Sequence, residues 1–144
     1  YNGYGVRQDY AKALELYQKA INQGDIAAQF NLGTLYYNGN GVRQDYAKAI
    51  YWYQKAANQG DIAAQNNLGL MYSNGKGVRQ DYTKAFEWYQ KAADQGNGIG
   101  KFNLGTLYYN GNGVRRNTLK AKELLGQACD AGLQQGCDEY RKLN

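Results

Sequence analysis

The 144-residue sequence contains no histidine, no proline and no Asn-x-Ser/Thr glycosylation acceptor, and it has one serine and two cysteines. Without histidine, a histidine-built metal or catalytic site is excluded, and we expect neither a metal nor a cofactor. No apolar run approaches the roughly 18 residues that a membrane-spanning helix needs. Since 43% of the residues are hydrophobic and 14% are aromatic, the composition is too apolar for a disordered chain. The sequence therefore predicts a soluble, folded protein without a membrane span.

The same residues recur at a constant spacing of 36 positions. Four series stand in register, at Gly5, Gly41, Gly77 and Gly113, at Val6, Val42, Val78 and Val114, at Ala13, Ala49, Ala85 and Ala121, and at Gly24, Gly60, Gly96 and Gly132. A period between about 20 and about 50 residues is typical of solenoids, in which each unit buries its apolar side against its neighbours. The sequence therefore predicts a repeat protein.

Basic residues outnumber acidic ones, and 17 lysines and arginines against 12 acidic residues give a formal net charge of +5. The lysines follow the repeat, at Lys12, Lys48, Lys84 and Lys120 and at Lys19, Lys55 and Lys91. Such spacing describes one solvated helix face, whereas a nucleic-acid footprint clusters its charge and interleaves it with stacking aromatics. We expect no nucleic-acid partner.

Each repeat contains two predicted helices. Residues 45–59 carry small and aromatic side chains at helical spacing, at Ala49, Tyr53, Ala56 and Ala57. Asp45 is placed to cap the start of this helix, and Gly60 to end it in the left-handed conformation. Asp61 then caps the next helix, whose stripe is Ala64, Leu68, Met71 and Tyr72. The Asn-Gly pairs are also typical of β-hairpins, but the helical period on both sides favours helix ends here.

This pattern predicts eight helices in a single repeat domain, residues 1–144. A second helix of a partial repeat (about 9–23) comes first, three helix pairs follow, and a closing helix (about 133–143) comes last. The predicted units are 1–24 (partial), 25–60, 61–96, 97–132 and a C-terminal capping helix in 133–144. Because Tyr1-Asn2-Gly3 aligns with the helix end Tyr37-Asn38-Gly39, we expect the sequence to be a fragment or a processed product.

Glycine recurs inside the first helix of each pair, at Gly33, Gly69 and Gly105. Glycine in a helix interior costs up to about 1 kcal/mol relative to alanine, and a repeated cost implies a repeated reason. We expect the missing Cβ to let the paired helix approach, with an aromatic ring such as Tyr53 or Tyr89 lying over the gap.

A longer motif carries a family resemblance. It reads Ala64-x3-Leu68-Gly69-x2-Tyr72-x2-Gly75-x-Gly77-Val78-x2-Asp81-x2-Lys84-Ala85-x2-Trp88-Tyr89-x-Lys91-Ala92-Ala93-x2-Gly96. This motif resembles the Sel-1-like repeat, a relative of the tetratricopeptide repeat, and the resemblance covers nearly the whole chain. It implies an all-α fold, a right-handed α-α superhelix of helix-turn-helix repeats. It also implies an adaptor that presents a concave groove to a protein or peptide partner, often in bacterial signalling or host contact.

The chain departs from the motif in its last full repeat. Asn97-Gly98-Ile99-Gly100 replaces Asp61-Ile62-Ala63-Ala64, and Thr118, Leu125 and Gly126 replace Tyr82, Tyr89 and Gln90. We expect the first change to loosen a helix start. The second change indicates a terminal unit.

The two cysteines, Cys129 and Cys137, lie eight residues apart on either side of the Gly132 turn. An antiparallel helix pair brings such positions within reach of a disulfide, although two unpaired thiols in a cytoplasmic protein are the alternative. The run from Ala128 to Cys137 resembles the cysteine-rich, exported branch of the family. This resemblance favours a disulfide and a periplasmic or secreted location, and a cytoplasmic one otherwise.

The same branch raises a second function class, weak β-lactam binding or hydrolysis. Ser73-Asn74-Gly75-Lys76 matches Ser-x-x-Lys, but in serine β-lactamases the serine opens a helix, whereas Ser73 ends one and runs into glycines. The Gly39-x-Gly41 pair lacks the third glycine of a dinucleotide fingerprint, since Gln44 stands there, and no strand precedes it. We therefore expect a binding scaffold that is not an enzyme, with β-lactam binding as the alternative.

The partner site is predicted on the first helices, on the stripe about 100° from the core stripe. This stripe comprises Phe30, Thr34, Tyr37 and Asn38, then Asn66, Leu70, Ser73 and Asn74, then Phe102, Thr106, Tyr109 and Asn110. The asparagines offer a donor and an acceptor at one repeat position, and the aromatics offer apolar contact with little entropy to lose. The alternative is that these asparagines only cap helix ends before glycine.

The first helix is predicted to have an uncovered face. Leu14, Tyr17 and Ile21 lie on the side that a preceding helix would cover. Such edges of repeat proteins are adhesive, and we expect self-association through this end.

Overall fold

A computed structural model of the chain describes residues 3–144, with side chains from Asp9 onward. As the sequence predicts, the described chain forms eight helices. They are α1 (Gly3–Asn22), α2 (Ile26–Asn38), α3 (Tyr46–Asn58), α4 (Ile62–Asn74), α5 (Tyr82–Asp94), α6 (Gly98–Asn110), α7 (Thr118–Asp130) and α8 (Gln134–Lys142).

The helices belong to two compact units, one extending to Ala64 and the other from Gln65 to Asn144. In the first unit α1 packs on α2, and α2 packs on α3. In the second unit α5 packs on α6, α6 on α7, and α7 on α8, which also contacts α6. Within each unit these consecutive helices are thus neighbours in space, and the all-α helix-turn-helix repeat is confirmed.

Each repeat uses the same side-chain caps. The Asp45 carboxylate accepts from the Lys48 backbone N–H at 3.0 Å, and Asp61 accepts from Ala64 at 2.8 Å. The cap of α6 is also present despite the replaced residues, because Asn97 Oδ1 accepts from the Gly100 N–H at 2.8 Å. A carboxylate or amide oxygen satisfies one of the N–H groups that the first turn leaves without a partner.

Tyrosine rings cover two of the three helix glycines, Gly33 and Gly69, as predicted, whereas Leu124 and Leu125 lie over Gly105. A Cβ on Gly33 would lie 2.8 Å from Tyr53 Cδ1, and one on Gly69 would lie 2.5 Å from Tyr89 Cδ1. Both rings are nearly inaccessible, with Tyr53 1% and Tyr89 3% exposed. Glycine therefore lets the two helices of a repeat approach until the ring fills the space between them.

The first helix differs from the prediction. It begins at Gly3, whereas the sequence pattern predicts a start near residue 9. The corresponding turn before α3 is closed against the end of α2, where Gln44 Nε2 donates to the Tyr37 carbonyl at 2.9 Å. In α1 the residues before Asp9 continue the helix instead of forming such a turn.

Small and large side chains alternate in the core of the second unit. Its buried cluster consists of Ala85, Tyr89, Ala93, Leu104, Leu107 and Leu124. In the first unit the face of α1 is less covered, since Leu14, Tyr17 and Ile21 are only half-buried. Tyr53, at the repeat position of Tyr17, is 1% exposed. Self-association through this face stays a prediction.

Candidate functional site

One cleft brings together the predicted stripe of α6 and the C-terminal helix α8. Its volume is about 450 Å³. Its lining includes all four stripe residues of α6, namely Phe102, Thr106, Tyr109 and Asn110, together with Asn103, Leu125, Glu139, Lys142 and Leu143. The cleft thus combines aromatic and aliphatic surface with two amides, two hydroxyls and an ion pair.

On the α6 side, the Thr106 hydroxyl is engaged within the helix, whereas the Asn110 amide is available. Thr106 Oγ1 donates to the Phe102 carbonyl at 3.0 Å, so its hydrogen is used within the helix. The Tyr109 ring is 40% exposed, and the Arg116 guanidinium lies 5.4 Å from its centroid. The side chain of Asn110 is exposed, and within residues 3–144 it makes no hydrogen bond. This amide can therefore bind a ligand without breaking an internal bond.

On the α8 side, the charged residues form a pair at the rim. Lys142 Nζ donates to Glu139 Oε1 at 2.7 Å. This hydrogen bond and the adjacent negative charge raise the pKa of Lys142. Leu143 follows directly and adds an apolar surface opposite α6.

A disulfide joins α8 to α7. Cys129 and Cys137 are bonded, with their Cα atoms 4.5 Å apart, which confirms the pairing predicted across the turn. Gly136 packs against the end of α7, because a Cβ there would lie 2.8 Å from Ala128 Cβ. Tyr140 lies over Gly126, where a Cβ would be 3.1 Å from the ring. The replacement of glutamine by Gly126 thus makes room for the closing helix.

The stripe residues of α4 do not line this cleft. Asn66 Nδ2 donates to Asn97 Oδ1 at 2.8 Å, while its own Oδ1 is buried and has no hydrogen-bond partner among the described residues. Leu70 is 47% exposed, and Asn74 is the exposed last residue of α4. Their part in binding stays a prediction.

The stripe residues of α2 are mostly engaged within their own unit. Phe30 packs on Tyr53 with ring centroids 5.4 Å apart, and Tyr37 packs on Tyr46 at 5.3 Å. The Thr34 hydroxyl lies 3.1 Å from both the Phe30 carbonyl and the Tyr53 hydroxyl.

The asparagines Asn38, Asn74 and Asn110 each occupy the last position of a helix. Their side chains make no hydrogen bond to the described part of the chain. Where α2 ends, the backbone closes the helix instead, because Gly39 adopts a φ of 70° and donates its N–H to the Leu35 carbonyl. No side-chain hydrogen bond therefore supports the alternative that these asparagines cap the helix ends.

The Ser73 hydroxyl is not arranged as a nucleophile. Ser73 lies in the last turn of α4, where the helix dipole disfavours a developing anion. Its Oγ donates to the Leu70 carbonyl at 3.1 Å and lies 3.4 Å from the Tyr89 hydroxyl. Residues 3–144 also contain no group of three His, Cys, Asp or Glu side chains that could hold a metal ion.

A second depression recurs at the turns between paired helices. The larger copy, about 760 Å³, is lined by Tyr36, Val42, Arg43, Gln44, Asp45, Tyr46 and Lys48. Its polar groups hold the turn itself, since Asp45 caps α3 and Gln44 bonds the end of α2. The α6–α8 cleft is therefore the better candidate for ligand binding.

Sequence reasoning missed a repeated glutamine pair, in which a buried glutamine (Gln29 or Gln65) is bonded to an exposed one. Gln59 Nε2 donates to Gln29 Oε1 at 2.8 Å, and Gln95 Nε2 donates to Gln65 Oε1 at 2.9 Å. The spacing of 36 residues marked both positions, but exposed and buried glutamines look alike in a sequence. The contribution of α8 was also missed, because this helix keeps the repeat spacing but lacks the Leu-Gly pair that marks the earlier first helices.

These features define a helical-repeat scaffold with one terminal cleft. The Sel1 repeat family model matches residues 1–25, 26–61, 62–97 and 99–133, and the chain belongs to this family. A comparison with curated proteins finds no match. No helix among the described residues is both long and apolar enough to cross a membrane.

Solved structures give the same assignment. A protective antigen of uropathogenic Escherichia coli strains with an SLR fold is 40% identical, with a TM-score of 0.84, over 87% of this chain and 27% of its own. The chain thus spans about a quarter of that antigen. A Sel1 repeat protein from Oxalobacter formigenes is 36% identical (TM-score 0.82, 90% of this chain and 97% of its own). Cysteine rich protein B of Helicobacter pylori is 29% identical (TM-score 0.73, 95% and 98%).

Proposed function

We propose that this Sel1-repeat scaffold binds an extended peptide segment of a partner protein in the α6–α8 cleft. The observation that carries the proposal is the exposed Asn110 amide, which has no internal hydrogen bond and lies beside the exposed ring of Tyr109. An amide can donate to and accept from one peptide backbone unit. The neighbouring ring offers apolar contact with little entropy to lose.

The charges around the cleft favour a peptide with an acidic group. Arg116 lies on the Tyr109 ring and makes no ion pair within the described chain. Lys142, by contrast, is already paired with Glu139. We therefore expect the bound segment to place a carboxylate near Arg116 and an apolar side chain between Phe102 and Leu143.

The test uses a short peptide selected by phage display on the purified chain. Asn110→Ala and Tyr109→Ala should each weaken its binding by about 1 kcal/mol or more, roughly fivefold. Their melting temperatures should stay nearly unchanged, because both side chains are exposed. Asn38→Ala is the matched control, since Asn38 holds the same repeat position and lies outside the cleft.

Two outcomes would contradict this proposal. If Asn110→Ala and Tyr109→Ala lower the melting temperature and leave affinity unchanged, these residues are structural. If Asn38→Ala weakens binding as strongly as Asn110→Ala, the peptide follows the asparagines of successive repeats rather than the cleft.

We also infer that the chain acts without catalysis. The engagement of Ser73 with a backbone carbonyl and its place at a helix C-terminus support this inference. The purified chain should give no turnover of the β-lactam nitrocefin above buffer. Turnover proportional to protein concentration, and unchanged in Ser73→Ala, would require a different catalytic group.

A periplasmic or secreted location is the further part of the proposal. The disulfide supports it, because such bonds persist in oxidising compartments, and so does the likeness to a cysteine rich protein. Fractionation of the native cells with an antibody against the chain tests it. Recovery in the cytoplasm with free thiols would refute this location.

A further inference from the structure

Few side chains of α8 are buried. Gly136 is its only buried residue, and Cys137, Glu139 and Tyr140 are half-buried. The helix has nine residues and lacks a side-chain cap at Leu133, and so short a helix is not stable by itself in water. Its attachment depends on Gly136 against α7, on Tyr140 over Gly126, and on the disulfide.

The same helix supplies one side of the cleft. Glu139, Lys142 and Leu143 line it, and all three follow Cys137 closely in sequence. If the start of α8 leaves α7, these residues leave the side of the cleft opposite α6. The α6 residues would then remain as an open surface without an opposing wall.

We propose that the Cys129–Cys137 disulfide positions α8 as the second wall of the cleft, so that peptide binding there requires the oxidised chain. This inference rests on the proposed function. Reduction by a dithiol cleaves the S–S bond and forms two cysteine thiols, while the reductant gives up two hydrogens and becomes a cyclic disulfide. Cys129 and Cys137 are both half-buried rather than enclosed, so a thiolate can reach them.

The first experiment needs no ligand. Hydrogen–deuterium exchange of the full chain is compared with and without dithiothreitol. We expect the amides of α8 to lose protection by about tenfold or more on reduction, with α6 and α7 changing little. Unchanged protection of α8 in the reduced chain would overturn the proposal.

The second experiment measures affinity for a probe peptide. The peptide is selected by phage display on the oxidised chain, with counter-selection on Tyr109→Ala, so that it reports on the cleft. Reduction should weaken its binding by at least about tenfold, and reoxidation should restore it. Equal binding in both states would show that the disulfide is not needed for binding and would overturn the proposal.

Two variants distinguish the effect of the position of α8 from the effect of the redox state of the two cysteines. The Cys129→Ser, Cys137→Ser double variant should bind as weakly as the reduced chain and should not respond to dithiothreitol. Gly136→Ala should weaken binding with the disulfide intact, because its Cβ would lie 2.8 Å from Ala128 Cβ and displace α8. If no selected peptide depends on Tyr109, the proposed function fails, and the exchange result alone decides whether the disulfide holds the wall.

Discussion

The substitution Gly69→Ala tests the tight approach of paired helices in the second unit. Its Cβ would lie 2.5 Å from Tyr89 Cδ1, closer than van der Waals contact allows. The Tyr89 ring is 3% exposed, and its hydroxyl lies 3.4 Å from Ser73 Oγ, so the ring cannot turn aside without disturbing the core. Gly105→Ala is the matched control, because its Cβ would meet the Ala121 carbonyl oxygen, Leu124 Cβ and Leu125 Cγ at 3.3 Å, a tight contact but not an overlap.

Both substitutions gain stability from the higher helix propensity of alanine, but only one of them loses stability through overpacking. Alanine in a helix interior is more stable than glycine by up to about 1 kcal/mol, and this gain applies at both positions. Overpacking a core costs about 1–3 kcal/mol. Only Gly69→Ala incurs this cost, because its Cβ would overlap the buried ring of Tyr89. The free energy of unfolding of Gly69→Ala should therefore be lower than that of Gly105→Ala by about 1–3 kcal/mol.

Urea unfolding followed by circular dichroism measures both free energies of unfolding. The slope of this free energy against urea concentration should stay the same if only stability changes. Both glycines lie in the second unit, so the comparison does not depend on the other unit. Gly105→Ala should be as stable as the parent chain or slightly more stable. The reasoning is refuted if Gly69→Ala is as stable as Gly105→Ala.

Three further substitutions probe the caps and the buried ring. Asp81→Ala removes the cap of α5 and should cost about 1 kcal/mol in urea unfolding. Asn97→Ala should cost more, because Asn97 also accepts from Asn66 Nδ2. Burial raises the pKa of Tyr89 above its usual 10.0 and outweighs its bond with Ser73. Folding thus favours the neutral phenol, and this stability is complete below about pH 10 and is lost as pH rises through the folded pKa. In a pH series of unfolding free energies, Tyr89→Phe should therefore lose less stability above about pH 10 than the parent chain.

The repeat itself was predictable because local and tertiary signals agree within it. Asp45 and Asp61 precede helical periods and cap them. The costly helix glycines Gly33 and Gly69 pointed to covering rings, which the structure places there. Because these cap residues and helix glycines recur at a fixed spacing, the prediction did not depend on a match at any single position.

The parts that could not be predicted lie where the repeat stops. The start of α1 at Gly3 was not predictable, because Gly5-Val6-Arg7-Gln8 is helical while the identical Gly41-Val42-Arg43-Gln44 forms a turn. The α6 half of the cleft followed from its register. Glu139 and Lys142 did not, because α8 keeps the repeat spacing after α6 but has Tyr140-Arg141 where the earlier first helices have Leu-Gly. Asn66 likewise occupies the position of Phe30, and its bond to Asn97 depends on two substitutions at once.

The departures from the repeat also explain why the cleft lies on α6. On α2, Tyr37 packs on Tyr46 and Phe30 packs on Tyr53, so the stripe is filled by the partner helix. In the last repeat Thr118 stands at the position of Tyr46, and Leu125 at that of Tyr53.

Each replacement removes a ring that would otherwise cover the stripe. Tyr109 is consequently 40% exposed, and Leu125 and Phe102 both line the cleft. Arg116, which replaces the turn-closing glutamine, lies on the Tyr109 ring and adds a positive charge beside it. The changes that mark a terminal unit are therefore the same changes that open a binding surface.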